Sequence, residues 1–583
     1  MRRRAGGCSK AKTPLKRQLP NINHALLSSL FKEDIMRCLY LINPPERRGY
    51  TNERSQSAGL GVSRRLKLFE KPYLILPPPD IMMTAAVAEN CDLKANIIDL
   101  ILEKRSGKEA IRFVSERVAN TSKLDDELWI GVRLSIATLP QDLHFANQIK
   151  AEFPQSRLFL LGSVIMATVD HWIKDTKADA ILYGEPEAIV GAMFKATGGA
   201  WKRQRGVISP ASHLPIRGEA LYDGTVQNRF HDWVLNDSLT DIPFPAYHLL
   251  PMERYSYTGK VEDIAVYVTA SRGCPIGCTM CPYMLHEGRP LRISAVDRVL
   301  SEMKWLNETW GITHWRFRDP NFGFDRAQVR ELLTKIIDNG IRMSSTVETS
   351  LECLDDSLIE LMAKAGIKVI TTGIETADEA CLASIGQKIK INDILAKKIA
   401  FADSLGIHVY GTFVIGAPEE SWETVKRTID YSKTIPCECA FTIMTPFPGT
   451  PMYYQALKEG LLEKEMTYEK WNSYEATVKS RFLTPQDLTL ARLWARLELI
   501  IPHRRYMAKK MGKSVLGNEI NLIPRRIALI GVRMMVWLRK RQLGSAISAS
   551  LLTDPQAIVK TPLHWKNEDE QTSILDLETS KKS

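Results

Sequence analysis

The sequence predicts an α/β protein: a Rossmann-like doubly wound domain, then a partial (β/α)6 barrel, then a helical C-terminal region. Three observations predict it. From residue 36 short apolar runs alternate with helical patterns, the signature of parallel α/β structure. From Ile264 a second alternation begins on a longer beat, with six βα repeats over about 185 residues, too few for an eight-fold barrel. From Pro451 onward the pattern is helical, with no further strand run of note.

Taken in order, residues 1–35 form a basic tail expected to be disordered. The first unit, 36–200, has strand candidates at Met36–Asn43, Ala95–Leu102, Trp129–Thr138, Arg157–Met166 and Ala178–Tyr183, with connecting helices at Asp142–Phe153 and Thr168–Thr176. Residues 201–261, with Pro210, Pro215, Pro243, Pro245 and Pro251, read as a connector that wraps between domains and carries little signal of its own. The second unit, 262–450, has strand candidates at Ile264–Ala270, Thr313–Phe317, Arg342–Glu348, Val369–Ile374, His408–Ile415 and Ala440–Thr445. Helical patterns lie between them at Val296–Trp310, Arg326–Asn339, Asp356–Ala365, Asn392–Leu405 and Trp422–Lys433. A helical region fills 451–566 and a polar tail 567–583. In such barrels chemistry sits at the C-terminal ends of the strands.

At 583 residues, 44% hydrophobic and 25% charged, the chain is enzyme-sized and excludes both a lone small module and a disordered polymer. Its net charge of +11 is concentrated at the two ends. Residues 1–18 hold seven basic side chains and no acid, and Arg504–Arg541 hold eleven against Glu519 alone. The remainder is mildly acidic, so the main domains give no electrostatic reason to expect a nucleic-acid partner. No apolar run reaches the roughly 18 residues of a membrane span. The nearest, Ile527–Leu538, is interrupted by Arg533 and flanked by Arg525, Arg526, Arg539, Lys540 and Arg541. It reads as an ordinary packing helix or, alternatively, as a basic amphipathic helix making a peripheral membrane contact. The N-terminus has positive charge without an apolar h-region, so a secretory signal is not expected. A reducing, cytoplasmic setting is expected for the ten cysteines rather than a disulfide framework.

Three of the cysteines are bunched. The first barrel strand runs into Ser271-Arg272-Gly273-Cys274-Pro275-Ile276-Gly277-Cys278-Thr279-Met280-Cys281. Thiolates at i, i+4 and i+7 in a Gly- and Pro-containing loop can converge on one soft metal centre. Zinc normally takes four protein ligands, and His286 is the nearest candidate for a fourth. Three thiolates on a four-iron cluster leave one iron open for substrate.

Placed after the first strand of a six-repeat barrel, Cys274-x3-Cys278-x2-Cys281 resembles the radical S-adenosylmethionine (SAM) superfamily, over about residues 262–450. The resemblance implies a [4Fe-4S] cluster on Cys274, Cys278 and Cys281. Its open iron would chelate SAM, and an electron from a donor such as flavodoxin or ferredoxin would cleave SAM to a 5'-deoxyadenosyl radical. The family often has an aromatic residue where this chain has Met280, which would keep an apolar contact to adenine. Further contacts carry over at strand ends: Asp319 in Arg318-Asp319-Pro320-Asn321, Glu375 in Gly373-Ile374-Glu375, Gly416 in Val414-Ile415-Gly416-Ala417-Pro418-Glu419, and Met444 in Met444-Thr445-Pro446.

The upstream unit looks like the cobalamin-binding domain that precedes many radical SAM barrels. Leu41-Ile42-Asn43-Pro44-Pro45, Ser135–Thr138, Leu161-Gly162-Ser163 and Tyr183-Gly184-Glu185-Pro186-Glu187 carry that resemblance. It implies cobalamin contacts at Ser135, Thr138, Gly162, Ser163, Gly184 and Glu185, the small residues letting backbone approach the corrin tail. A degenerate Rossmann-like domain without cofactor is the alternative, and no GxGxxG supports a dinucleotide. Asp142-Leu143-His144 mimics a cobalt-ligating Asp-x-His motif but lies after the third strand, so no histidine from the protein is expected on cobalt. The implied activity is methyl transfer to an unactivated carbon of a small-molecule or lipid substrate, which polar chemistry cannot reach. One SAM methylates cobalamin and a second yields the radical. Substrate contacts are expected from Tyr283, His286, Arg289, Arg292, Arg316 and Arg318. A cobalamin-dependent cyclase and an RNA-modifying radical enzyme are the competing readings.

Overall fold

The computed structural model describes residues 36–46, 50–53, 62–65, 76–123, 126–210, 234–256, 263–387, 393–463, 467–510 and 525–542. The basic N-terminal tail and the polar C-terminal tail lie outside the described residues, as do 511–524 and 543–566 of the helical region.

The first unit is a sheet whose five parallel strands are β1 (Arg37–Asn43), β4 (Lys94–Asp99), β5 (Glu127–Arg133), β6 (Arg157–Leu161) and β7 (Ala180–Leu182). A short hairpin, β2 (Tyr50–Glu53) and β3 (Val62–Arg65), stands apart, and β8 (Val207–Ile208) adds an antiparallel edge. The spatial order β4-β1-β5-β6-β7-β8 reverses direction beside β1, creating a topological switch point between the ends of β1 and β5. Helices cover both faces. On one, α1 (Pro79–Glu89) and α5 (Pro186–Lys195) pack on Leu39, Leu41, Trp129 and Phe159. On the other, α2 (Gly107–Thr121), α3 (Leu139–Glu152) and α4 (Val164–Trp172) pack on Tyr40, Ile42, Ile130 and Leu160.

Two expectations need correction. The apolar run Arg157–Met166 is strand only to Leu161; Val164-Ile165-Met166 opens α4, because a fully buried helix start has the same unbroken apolar look as a buried strand. The connector does more than wrap. Tyr247, Leu250, Met252 and Tyr255 are buried in the core of the second unit while Ala246 is buried in that of the first, so this segment wedges the two together. Its β8 also extends the first sheet.

The second unit is six parallel strands in the order β9-β12-β13-β14-β15-β16 seen in reverse: β9 (Ala265–Val268), β12 (His314–Phe317), β13 (Ser344–Glu348), β14 (Ile367–Glu375), β15 (His408–Ile415) and β16 (Glu438–Ile443). With each strand pairing only its sequence neighbours, the sheet is an open partial barrel. The minor pair β10 (Ser271–Arg272) and β11 (Arg292–Ile293) follows β9, with α6 (Tyr283–His286) between. The crossovers are α7 (Val296–Trp310), α8 (Arg326–Asp338), α9 (Asp356–Ala365), α10 (Glu379–Ser384) with α11 (Asp393–Ser404), and α12 (Trp422–Ser432). Local chemistry starts them: Asp325, Asp355 and Asp378 cap α8, α9 and α10, and Ser421 with Thr424 forms a capping box on α12. Beyond the sheet, α13 (Pro451–Lys458), α14 (Pro485–Lys510) and a helix at 525–542, α15, complete the described chain. No helix among the described residues is long and apolar enough to cross a membrane.

Candidate active site

The cysteine loop is closed at its base. Ser271 and Arg272 pair with Ile293 and Arg292, so residues 273–291 leave and return at one point at the exit of the first barrel strand. Backbone N–H groups of Ile276 and Tyr283 face the sulfurs of Cys274 and Cys281, and the Gln387 side-chain amide donates to Cys278 Sγ at 2.8 Å. Thr279 fixes the loop centre by donating from its hydroxyl to the carbonyl of Ile385 at 2.7 Å. Burial pushes the Cys278 thiol up to about 11, aided by the Glu375 carboxylate and Cys274. Cys281 is raised further, by burial and then by Cys278. The three sulfurs therefore sit within electrostatic reach of one another, although no group of three His, Cys, Asp or Glu among the described residues closes on a single ion. Three thiolates with His286 engaged elsewhere fit a cluster that brings its own sulfide better than a zinc ion, which takes four protein ligands. A cationic cluster would supply the positive charge these buried thiolates lack, and the N–H donors are already aimed at sulfur. His286 is not a fourth ligand: its ring nitrogens are engaged elsewhere, as follows.

Both flanks of the loop are tied to the first unit. Arg272 contacts Glu187 at 2.6 Å and Glu185 at 2.9 Å, and Arg292 grips both oxygens of Glu185 at 2.8 and 2.9 Å. All four side chains are buried or nearly so. Burial works to raise Glu185, and the two guanidiniums outweigh it, holding the carboxyl down at about 2. Arg292 also donates to the carbonyl of Glu287, whose carboxylate accepts the Gly273 N–H at 3.1 Å. Burial lifts Glu287 to about 7 against the pull of Arg318 and Arg272. His286 bridges the units: Arg318, which can only donate, sits 2.9 Å from Nε2, so Nδ1 carries the proton and donates to Ser163 Oγ at 2.7 Å. Burial, reinforced by Arg318 and Arg272, keeps this imidazole neutral.

The structure sorts the residues singled out in the sequence. Asp319 is buried and accepts from Ala270 N–H at 3.1 Å and Ser271 Oγ at 2.6 Å; it ties the exit of β9 to the end of β12. Glu375 ends β14 in a left-handed conformation (φ 66°), with its carboxylate above Gly373 and close enough to Cys278 and Cys281 to raise both. Gly416 donates to Glu420, a buried carboxylate the sequence reading passed over. Met280 is partly buried against the barrel core, and Met444 is buried within it. Ser135 and Thr138 bond to each other and converge on Asp142, so Asp142 is a loop-fixing residue, while His144 is exposed on α3.

Other assignments change. Gly162 and Gly184 have a packing reason to be glycine, since a Cβ on either would strike the chain's own carbonyl oxygens, Leu134 and Val234. Glu185 and Arg292 are committed to each other, which removes Arg292 from the expected substrate contacts and makes Glu185 a tie to the loop. Arg289 lies over Gly277 of the loop, and Tyr283 donates to Glu348 at 3.0 Å. Gln387 and Glu348 went unnoticed in the sequence because their partners, Cys278 and Tyr283, are strand-ends apart, whereas Glu420 bonds locally to Gly416 and Thr424 and only its burial sets it apart.

A narrow cleft lies between the units, lined by Asp80, Glu187, Tyr267, Arg272, His286 and Arg318 among others. One oxygen of Asp80 is held by Arg133 at 2.8 Å, while Oδ1 is buried without a partner.

Comparison with known proteins follows this geometry. Residues 268–432 match the Radical SAM superfamily model. The chain is 30% identical over 256 residues to an uncharacterized methyltransferase of Pyrococcus horikoshii, covering 44% of this chain and 55% of that one. It is 27% identical over 329 residues to cytidylyl-2-hydroxyethylphosphonate methyltransferase of Streptomyces wedmorensis, covering 51% and 61%. The chain thus spans little more than half the length of these curated relatives. Among solved structures it resembles the cobalamin-dependent SAM radical enzyme OxsB with aqua-cobalamin bound, at a TM-score of 0.60 and 11% identity, over 89% of this chain and 75% of that one; this is a likeness of fold. The matched stretch begins in the first strand of the six-stranded unit, just ahead of the three cysteines, so the likeness to the Radical SAM superfamily is a likeness of that unit.

Proposed function

We propose that this protein is a cobalamin-dependent radical SAM methyltransferase acting on an unactivated carbon of a small-molecule or lipid substrate. The observation that carries the reading is the double tie of Arg272 and Arg292 to Glu185: it turns the cysteine loop toward the strand ends of the first sheet, so that two cofactor sites would share one cleft. The methyltransferase names of both relatives support it, as does the fold shared with OxsB. Asp80 Oδ1, lacking a partner in the cleft, suits a ligand rich in amide donors, as the corrin side chains are.

When bound, the cluster with SAM would supply a hydrogen-abstracting radical, and cobalamin a transferable methyl group. Cys274, Cys278 and Cys281 would hold the cluster and Gln387 would tune Cys278 through its N–H···S bond. Glu375 and the Gly416 bend would position SAM at the strand ends. Neutral His286, fixed between Ser163 and Arg318, would keep the cleft wall rigid without adding a charge. Tyr267, Tyr283 and Arg318 would meet substrate and exclude water. A one-electron donor of the flavodoxin or ferredoxin class would complete the reaction.

The test is anaerobic reconstitution with iron, sulfide and cobalamin, followed by iron counting, corrinoid spectra and a product search. About four irons, one bound corrinoid and a product heavier by one methylene are expected, with S-adenosylhomocysteine and 5'-deoxyadenosine formed together. A cyclised or oxidised product would replace methyl transfer by the cyclase reading; protein that binds no corrinoid would remove the proposal.

A further inference from the structure

The helix α15 carries two apolar stripes, and only one is used. Leu529, Val532 and Val536 are buried in the barrel core, and three ion pairs hold the helix down: Arg533 to Glu498 at 2.6 Å, Arg539 to Asp487 at 2.8 Å and Lys540 to Glu423 at 2.9 Å. The opposite face exposes Ile527 (66%), Ile530 (67%), Met534 (61%) and Trp537 (51%), which recur at i, i+3, i+7 and i+10, with Met535 and Leu538 beside them. These are six of the sixteen exposed large hydrophobics among the described residues, gathered on one helix while the others lie one or two to an element. Clustering of this kind marks an interaction surface, whereas single exposed apolar residues do not. Arg541 lies over the Trp537 ring at 4.4 Å, an aromatic and a cation together at the end of the stripe.

We propose that this face lies on an anionic lipid surface. Charge decides between occupants. Residues 525–542 hold six basic side chains and no acid, so two copies meeting along this helix would oppose like charge to like, whereas phosphate headgroups complement it. Three of those cations face the barrel and hold the helix flat against it, which leaves the outward apolar side chains to enter the headgroup and acyl boundary. The helix does not span; it would sit in the interface plane. The inference is independent of the chemistry proposed above, since it rests on a different element.

The experiment is co-sedimentation of the full-length protein with phosphatidylcholine vesicles and with vesicles containing about one third phosphatidylglycerol. Binding to the anionic vesicles is expected, weakening about tenfold between low salt and about 0.5 M salt. Ile530→Glu and Trp537→Glu, both on exposed positions, are each expected to weaken it by about tenfold or more. Phe482→Glu, an exposed apolar residue elsewhere, serves as the control and should bind as the parent does. Equal binding to neutral and anionic vesicles, unchanged binding of the two α15 variants, or a dimer in light scattering that Ile530→Glu dissolves without vesicle binding would each overturn the proposal.

Discussion

The two parallel sheets bury their residues differently. In the first, strands are covered on both faces: β1 is buried from its second residue to its last, and β6 likewise. In the second, β15 alternates half-buried with buried along its whole length, His408, Tyr410, Thr412 and Val414 on one side and Val409, Gly411, Phe413 and Ile415 on the other. Helices cover one face of that sheet and leave the other concave. A doubly covered sheet leaves little room for polar chemistry along its strands, so the first unit contributes residues at strand ends and helix starts, such as Arg133, Asp80, Ser163, Glu185 and Glu187. The open barrel keeps a polar row on the strands themselves, including Tyr267, Thr371 and Thr412.

The sharpest way to break this comparison is to remove the cysteines proposed to hold the cluster. Cys278→Ala or Cys281→Ala is expected to bring bound iron from about four per chain to near zero and to abolish SAM cleavage, while cobalamin binding to the first unit persists. Iron assay and corrinoid spectra on one preparation decide it. If corrinoid is lost with iron, the two sheets do not hold separate sites and the division above is wrong.

The next largest effect belongs to the residue that joins them. Glu185→Gln strips a carboxylate from between Arg272 and Arg292 and leaves Arg292 without its ion-pair partner and Arg272 with Glu187 and the more distant Glu287. Removing one partner of a buried ion pair costs about 3–5 kcal/mol. Denaturant unfolding should show that loss, and the cysteine loop should become sensitive to limited proteolysis. An exposed pair such as Arg112 with Glu116 should cost less than about 1 kcal/mol when broken, and gives the scale.

Legibility followed the range of each interaction. Strands and most helices could be read because their periodicities are local, and the cysteine loop because its spacing is. The Arg292–Glu185 pair joins residues 107 apart, and Gln387 reaches Cys278 across 109. No window of sequence contains either. Helix α1 was overlooked for another reason: its start, Pro77-Pro78-Pro79-Asp80, looks like a breaker, yet Pro79 occupies the first turn, where proline suits a helix. Gly162 and Gly184 were legible as glycines, but the cause lay in backbone packing that the sequence does not display.

A smaller effect separates the strand ends of the barrel by pH. Burial raises Glu420 to about 7, against bonds from Thr424 and Gly416, while an unfolded glutamate titrates near 4.5. The folded state therefore holds a proton that the unfolded state releases. Its stability is fully present below about pH 4.5 and declines as pH rises through about 7, by on the order of 3 kcal/mol at most. Glu420→Gln should flatten that slope in urea melts taken between about pH 5 and pH 8. A slope unchanged by the substitution would assign it to other groups.

The smallest effect is also the most discriminating, because it should raise stability while lowering function. Glu375 holds a left-handed backbone that costs a side-chain-bearing residue about 1 kcal/mol, and burial lifts its carboxyl to about 7. Glu375→Gly relieves both, against the extra freedom glycine gains in the unfolded chain, which is worth about 0.5–1 kcal/mol. At about pH 8, where the parent must carry a buried charge, a net gain in stability is expected in iron-free protein. At about pH 5 the carboxyl is protonated and the gain should shrink toward zero. SAM binding to the reconstituted protein should meanwhile weaken about tenfold, the scale of a lost hydrogen bond to a charged group. If the glycine variant binds SAM as tightly as the parent, the strain at residue 375 serves the loop's packing, and the concave face has lost its best candidate contact.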